Sequence, residues 1–183
     1  MSETSTLPET GAAAALSGER ADLLAELRAA RFFLRFTTRD LTDEQAAARP
    51  TPSELCLGGL VKHVTGCERG WVESIVEGAS TAKDFDEMTA EDFAARENEF
   101  RMLPGETLAG VLAAYDEVAR RTDEMVATVP DLDTKWALPK APWFQETHWS
   151  TRRVLLHIIA ETTQHAGHAD IIREAIDGAK TMG

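Results

Sequence analysis

The 183-residue chain is short of cysteine, short of positive charge and without a long apolar run. Each shortage closes off a class of protein. Two cysteines, Cys56 and Cys67, are too few for a disulfide framework, so a reducing, cytoplasmic setting is expected. Nineteen basic residues stand against thirty-one acidic ones, a formal charge of −12. Duplex nucleic acid and anionic membrane faces call for a basic surface, so neither is an expected partner. No apolar stretch approaches the roughly 20 residues that cross a bilayer. No basic segment followed by an apolar one marks a leader near Met1. Sustained apolar/polar alternation is missing, so no strand is expected. There is also no Ser/His/Asp order, no glycine-rich phosphate loop and no nucleotide fingerprint.

What is present is helical periodicity in an ordinary globular composition, enough for one domain. Residues 1–17 are small, polar and aperiodic, which predicts a disordered tail ahead of a domain over 18–183. Leu23, Leu27, Ala30, Leu34 and Thr37 form one apolar stripe and predict a first helix over about 18–40. A Thr42–Gln45 capping box follows, and Pro50 and Pro52 break the chain. Leu60, Val61, Val64, Trp71, Val72 and Ile75 predict a second helix over 57–77, ended by Gly78. Residues 80–102 are acidic and mixed, with a short helix from Ala90 and otherwise loop. A third helix runs from after Pro104-Gly105 to about Val129, on the stripe Leu108, Val111, Leu112, Tyr115, Val118, Met125 and Val126. Residues 130–149 read as a long connection with three prolines and three tryptophans. The last helix is capped by Ser150 or Thr151 and ends near Asp177, with Gly178 beyond it. Four long amphipathic helices spell an all-α four-helix bundle.

The chemistry concentrates in the last helix. At about 100° per residue, Glu161, His165 and His168 fall roughly 40°, 80° and 20° around from His157, all on one polar strip. Ile158, Ile159, Thr162, Ala166 and Ala169 flank it, so the strip borders the core face. Imidazoles and a carboxylate one turn apart converge readily on one ion, and mixed N/O ligation suits Zn²⁺, Ni²⁺, Fe²⁺ or Mn²⁺. The plainer alternative is a solvated helix face. A bundle site needs a ligand from a facing helix. His63, between Leu60 and Val64, is the only histidine of the second helix, and its plainer reading is a satisfied core histidine. Cys67 lies one turn after His63 and reads equally as a small buried apolar residue. Trp136, Trp143, Phe144 and Trp149 either wall a pocket for an apolar electrophile or close one end of the bundle. Arg152 and Arg153 are candidates to hold an anionic group, or simply surface arginines, and His148 reads as a surface loop residue.

The pairing of Gly58-Gly59-Leu-Val-Lys-His63-Val-x-x-x-Glu68-Arg69-x-Trp71 with His157-x-x-x-Glu161-x-x-x-His165-x-Gly167-His168-x-Asp170-x-x-Arg173-Glu174 resembles the DinB-like superfamily, in particular its actinobacterial branch. The likeness runs from the first helix to the C-terminus. It implies a four-helix bundle, in many members a homodimer, holding a divalent metal on three side chains. Superfamily members include thiol-dependent S-transferases and the mycothiol-dependent maleylpyruvate isomerase. Carried over by position, the resemblance makes His63, Glu161 and His165 the metal ligands, with zinc the first expectation. Many relatives carry His where this chain has Glu161, and the Glu form is the one the isomerase resembles. His168, His157, Cys67 and Trp149 are left as candidates for contacts around the ligands or with substrate.

Three protein ligands leave a coordination position open, as catalytic zinc sites do. The implied reaction is attack of a metal-activated low-molecular-weight thiolate on a small electrophile, with a thiol such as mycothiol as co-substrate. Metal-water hydrolysis uses the same parts. A non-catalytic metal-binding or sensing bundle, and a metal-free polar interface, are the readings from other classes.

Overall fold

The computed structural model describes residue 16 and residues 18–78 and 82–181. The segment read as a disordered tail thus lies outside the described residues, Leu16 excepted. Among the described residues, four long helices form the bundle: α1 (Glu19–Phe36), α3 (Leu57–Glu77), α5 (Leu108–Thr128) and α6 (Thr151–Asp177). Short helices α2 (Asp43–Ala47) and α4 (Ala90–Glu99) lie in the connections, with a single 3₁₀ turn at Phe85–Glu87. α1 packs chiefly on α6 and α3 on α5, and α3–α6 and α1–α5 contacts close the ring.

The helix ends follow the local chemistry. Thr42 and Thr89 each form a reciprocal capping box, with Gln45 and Asp92 respectively. The Thr107 and Ser150 side chains accept from the backbone N–H of Gly110 and Arg153 and start α5 and α6. Gly78 and Gly178 close α3 and α6 at φ 75° and 80°, the left-handed conformation that costs glycine least.

Residues 130–149 differ from the expectation of an unstructured connection. They double back as a two-stranded antiparallel ribbon, β1 (Lys135–Ala137) with β2 (His148–Ser150), which pairs Trp136 with Trp149. Three residues per strand are too few to show an alternating pattern, and the pairing partner lies a dozen residues away. The ribbon leads straight into α6: Thr151 and Arg152 N–H groups, which have no partner inside the helix, donate to the carbonyls of Thr134 and Leu132. His148 lies in this ribbon and is exposed.

The core is split in two. One cluster gathers Leu27, Ile75, Val126, Leu155 and Ile158 near the start of α6; the other gathers Leu34, Leu60, Val64, Tyr115 and Ala169 near its end. Between them each long helix turns a polar residue inward: Arg31, Glu68, Thr122 and Thr162, all buried. Arg31 forms an ion pair with Glu68 and donates to Asp123 at 2.8 Å, and the Thr122 hydroxyl donates to Glu68. Burial opposes the charge of Arg31, but its bonds to Glu68 and Asp123 outweigh that and raise its pKa above the ordinary arginine value. Replacing one partner leaves the other charge buried and uncompensated. Arg31→Met should therefore lower the unfolding free energy by about 3–5 kcal/mol in urea denaturation, and a loss below about 1 kcal/mol would contradict this account of the layer.

Candidate metal centre

α3 and α6 cross so that the inward edges of their polar strips meet. From α3 come His63, Cys67 and Trp71, at i, i+4 and i+8 on one face; from α6 come His157, Glu161 and His165. His63 Nε2 lies 3.2 Å from Glu161 Oε1, and His165 Nε2 lies 3.4 Å from the same oxygen. One ligand atom from each of the three residues falls within 4.8 Å of the others. His63 is buried, and Glu161 and His165 are half-buried.

This donor set fits a divalent ion. Donors held about 2.0–2.2 Å from a tetrahedral ion lie roughly 3.4 Å apart, which the two short separations match. Where a bare imidazole nitrogen faces the carboxylate oxygen, lone pair is set against lone pair and a cation between them satisfies both; without an ion, a ring nitrogen that carries hydrogen donates to Glu161 instead. The electrostatics agree with a site kept in its ligating protonation state. Burial works against ionisation of Glu161, yet the hydrogen bond with His63 and the charges of His165 and His63 leave its carboxyl below the ordinary value. Burial, with His63 beside it, holds His165 below the usual histidine pKa against the pull of Glu161.

The other candidates are distributed around this cluster. His168 stands behind it, its Nδ1 3.4 Å from His165 Nδ1. His157 is drawn away into an aromatic corner, edge-on to Trp71 and Trp149 at ring distances of 5.6 and 5.1 Å. Trp149 is buried and stacks beneath Trp71, supporting the cleft wall from behind. Cys67 lines the cleft, but burial and then the charge of Glu161 push its thiol up to about 12, so it is protonated at neutral pH.

The cleft has a volume of about 400 Å³. His63 and Glu161 sit in its wall, and Trp71, Phe85, Trp143 and Phe144 supply its aromatic surface. Of the four residues of the 130–149 connection considered as pocket walls, Trp143 and Phe144 line it, whereas Trp136 donates to Thr151 Oγ1 and packs on the core. Arg152 and Arg153 are engaged elsewhere, Arg152 with Glu19 and Asp133 and Arg153 with Glu146. The cation in the cleft wall without an ion-pair partner among the described residues is instead Arg96; its neighbour Lys83 pairs with Asp92 at 2.8 Å.

The end of α4 and the residue after it contribute two side chains that the pattern of the long helices gave no reason to single out. Glu99 Oε2 lies 3.2 Å from His63 Nδ1, and the Phe100 ring stacks on the His63 ring at 4.0 Å. The available signal was the Gly58-Gly59 pair one turn before His63. A Cβ at Gly59 would come within 2.0 Å of Phe100 O, so only glycine lets that strand of backbone settle on α3.

An all-α bundle with this His–Glu–His cluster between two of its helices is a DinB-like protein. A family model described as mycothiol-S-transferase matches residues 22–178, and the chain belongs to that family. A solved structure titled as the conserved protein of a locus from Enterococcus faecalis is similar at a TM-score of 0.65 and 11% identity, covering 90% of this chain and 100% of that one. At that identity the likeness is one of fold. A search among curated proteins gives no match.

His157 and His165 are both held below the free-histidine value of 6.5, burial being the largest cause in each. The unfolded chain therefore takes up protons near that pH where the folded chain does not. Stability contributed by the neutral rings is full above 6.5 and is lost as the pH falls toward the folded-state values. Metal-free protein should accordingly unfold at lower urea concentration at about pH 5.5 than at about pH 7.5, and NMR should show both rings titrating below 6.5. A midpoint that rises on acidification would contradict this.

Proposed function

We propose that the protein transfers a low-molecular-weight thiol, of the mycothiol kind, to a small apolar electrophile, with a divalent ion held by His63, Glu161 and His165. The observation that carries this reading is the clustering of those three donors, two of which, His63 and Glu161, line an aromatic cleft, within a chain of the mycothiol-S-transferase family. A bound divalent ion, zinc first among the expected ones, would supply the positive charge that keeps a thiol deprotonated at neutral pH. Glu161 brings one negative charge to the set, which keeps the loaded site close to neutral when an anionic sulfur enters. His63 and His165 both face it through Nε2 and hold it from either helix.

The rest of the cleft suits the second substrate. Trp71, Phe85, Trp143 and Phe144 offer flat apolar faces beside the donors. Arg96 leaves a guanidinium available to an anionic group on either substrate. In the transfer the thiol loses its proton to solvent and its sulfur forms a bond to the electrophilic carbon. In addition that carbon's neighbour takes up a proton, and in displacement a leaving group departs with the bonding pair. A wide, substrate-sized cleft against the donors favours this reading over a closed metal-binding or sensing bundle. The same parts make metal-dependent hydrolysis the nearest enzymatic alternative.

The reading includes a cytoplasmic setting and a homodimer. Both cysteines are free, and no helix among the described residues is long and apolar enough to cross a membrane. Phe32 and Phe33 are exposed on α1 and pack edge to face at 5.6 Å, an apolar patch that supports a second copy as partner. Sedimentation should find twice the 20.0 kDa chain mass, and a single species at the chain mass at micromolar concentration would remove the dimer.

His165→Ala should abolish most divalent-metal uptake and thiol transfer while helix content stays nearly unchanged, because His165 lies outside both core clusters. Trp143→Ala should keep the metal but raise KM for an aromatic electrophile such as a reactive aryl halide by about tenfold, roughly 1.4 kcal/mol of lost contact. Elemental analysis and conjugation rates measure both. A His165→Ala protein with stoichiometric metal, or a metal-loaded protein that turns over no thiol with any electrophile tested, would sink the proposal.

A further inference from the structure

We infer that Glu99 is a positioning residue for the metal centre: its carboxylate holds His63 as the Nδ1–H tautomer and so presents the Nε2 lone pair toward Glu161 and His165. The inference rests on the reading of those three residues as metal ligands. Each ring nitrogen of His63 faces a carboxylate oxygen at 3.2 Å, Nδ1 toward Glu99 Oε2 and Nε2 toward Glu161 Oε1, and a carboxylate only accepts hydrogen bonds. A neutral imidazole has a single N–H; when Nε2 is given to an ion shared with Glu161 and His165, that N–H sits at Nδ1, and Glu99 is the group placed to accept it. Ligating histidines are oriented in this way by an outer carboxylate or carbonyl, which also raises the basicity of the ligand nitrogen.

The surrounding construction points to the same role. Phe100, the next residue, covers the face of the ring at 4.0 Å with 24° between the planes, so Glu99 and Phe100 fix the ring edge and the ring face from one turn of chain. That turn is clamped onto α3. Gly58 and Gly59 leave room for Met102 and for the Phe100 carbonyl, where a Cβ would intrude to 2.3 and 2.0 Å. The Lys62 ammonium donates to the carbonyls of Asn98 at 3.2 Å and Arg101 at 2.9 Å, and to Glu106 at 2.7 Å. A lysine that ties down the backbone on both sides of Glu99 and Phe100, immediately before His63 in sequence, makes α4 a bracket for that histidine.

The test compares wild type with Glu99→Ala and Glu99→Gln. Zinc affinity is read by competition with a chromophoric chelator, and the His63 tautomer by nitrogen NMR of the zinc-loaded protein. Glu99→Ala should weaken zinc binding by about 10- to 100-fold with helix content and thermal midpoint unchanged. Glu99→Gln, whose carbonyl still accepts from Nδ1–H, should recover most of the affinity. Zinc-loaded wild type should show His63 bound through Nε2 and protonated at Nδ1, and Glu99→Ala a mixture of the two ring nitrogens as ligand. Zinc affinity of Glu99→Ala within about twofold of wild type, or an unchanged tautomer, would overturn the inference while leaving the ligand triad intact. A wild type that takes up no zinc would instead overturn the metal reading, and this inference with it.

Discussion

The buried ion pair between Arg31 and Glu68 is the constraint on which the rest of the molecule depends. A guanidinium and a carboxylate taken out of water are tolerated only when their hydrogen-bonding capacity is met, and here Thr122 and Asp123 of α5 complete it. Three helices are thereby held at one height and one rotation. The same layer divides the apolar interior into two clusters, so the bundle cannot slide by a turn without stranding a charge in hydrocarbon surroundings. A uniformly apolar interior would pack as tightly but would specify that register less sharply.

Fixing α3 in this way determines the cleft. Cys67 and Glu68 are neighbours, about 100° apart around the helix, so turning Glu68 into the bundle turns Cys67, and with it His63 and Trp71, toward α6. α6 answers with Glu161 and His165 on the matching face. The juxtaposition of His63 with Glu161 and His165 is therefore a consequence of the same rotation that satisfies the ion pair. What surrounds the donors comes from less regular chain: α4 presses Glu99 and Phe100 on His63, and the 130–149 connection supplies Trp143 and Phe144. Phe85 joins these two segments, its ring 5.3 Å from Trp143 and its N–H donating to Lys140 O. The rigid helices hold the chemistry, and the connections shape the space in which a substrate would lie.

Much of the helical frame is legible in residue order, because helix starts and stops are local events. Thr42 with Gln45, Ser150 with Arg153, and Gly78 and Gly178 act on groups three or four residues away, and they mark the ends where the structure has them. The expectation of no strand failed for the opposite reason. The pairing of Trp136 with Trp149 is made across a dozen residues, and neither three-residue segment carries the pattern alone. Glu99 was equally out of sight: an acid in an acidic segment has nothing to distinguish it until the glycines of α3 admit the neighbouring backbone.

Residue order alone sets the polar strip of α6. Regular hydrogen bonding at 3.6 residues per turn places His157, Glu161, His165 and His168 on one side of α6 whatever the helix packs against. It did not determine which of them would share space with His63. Glu161 and His165 do, while His157 turns into the corner made by Trp71 and Trp149, and His168 stands behind His165. That choice belongs to the crossing of two helices, set by side chains far apart in the chain that must fill one interior together. Spacing along a helix is a property of its own backbone, whereas juxtaposition between helices is a property of the whole packed bundle.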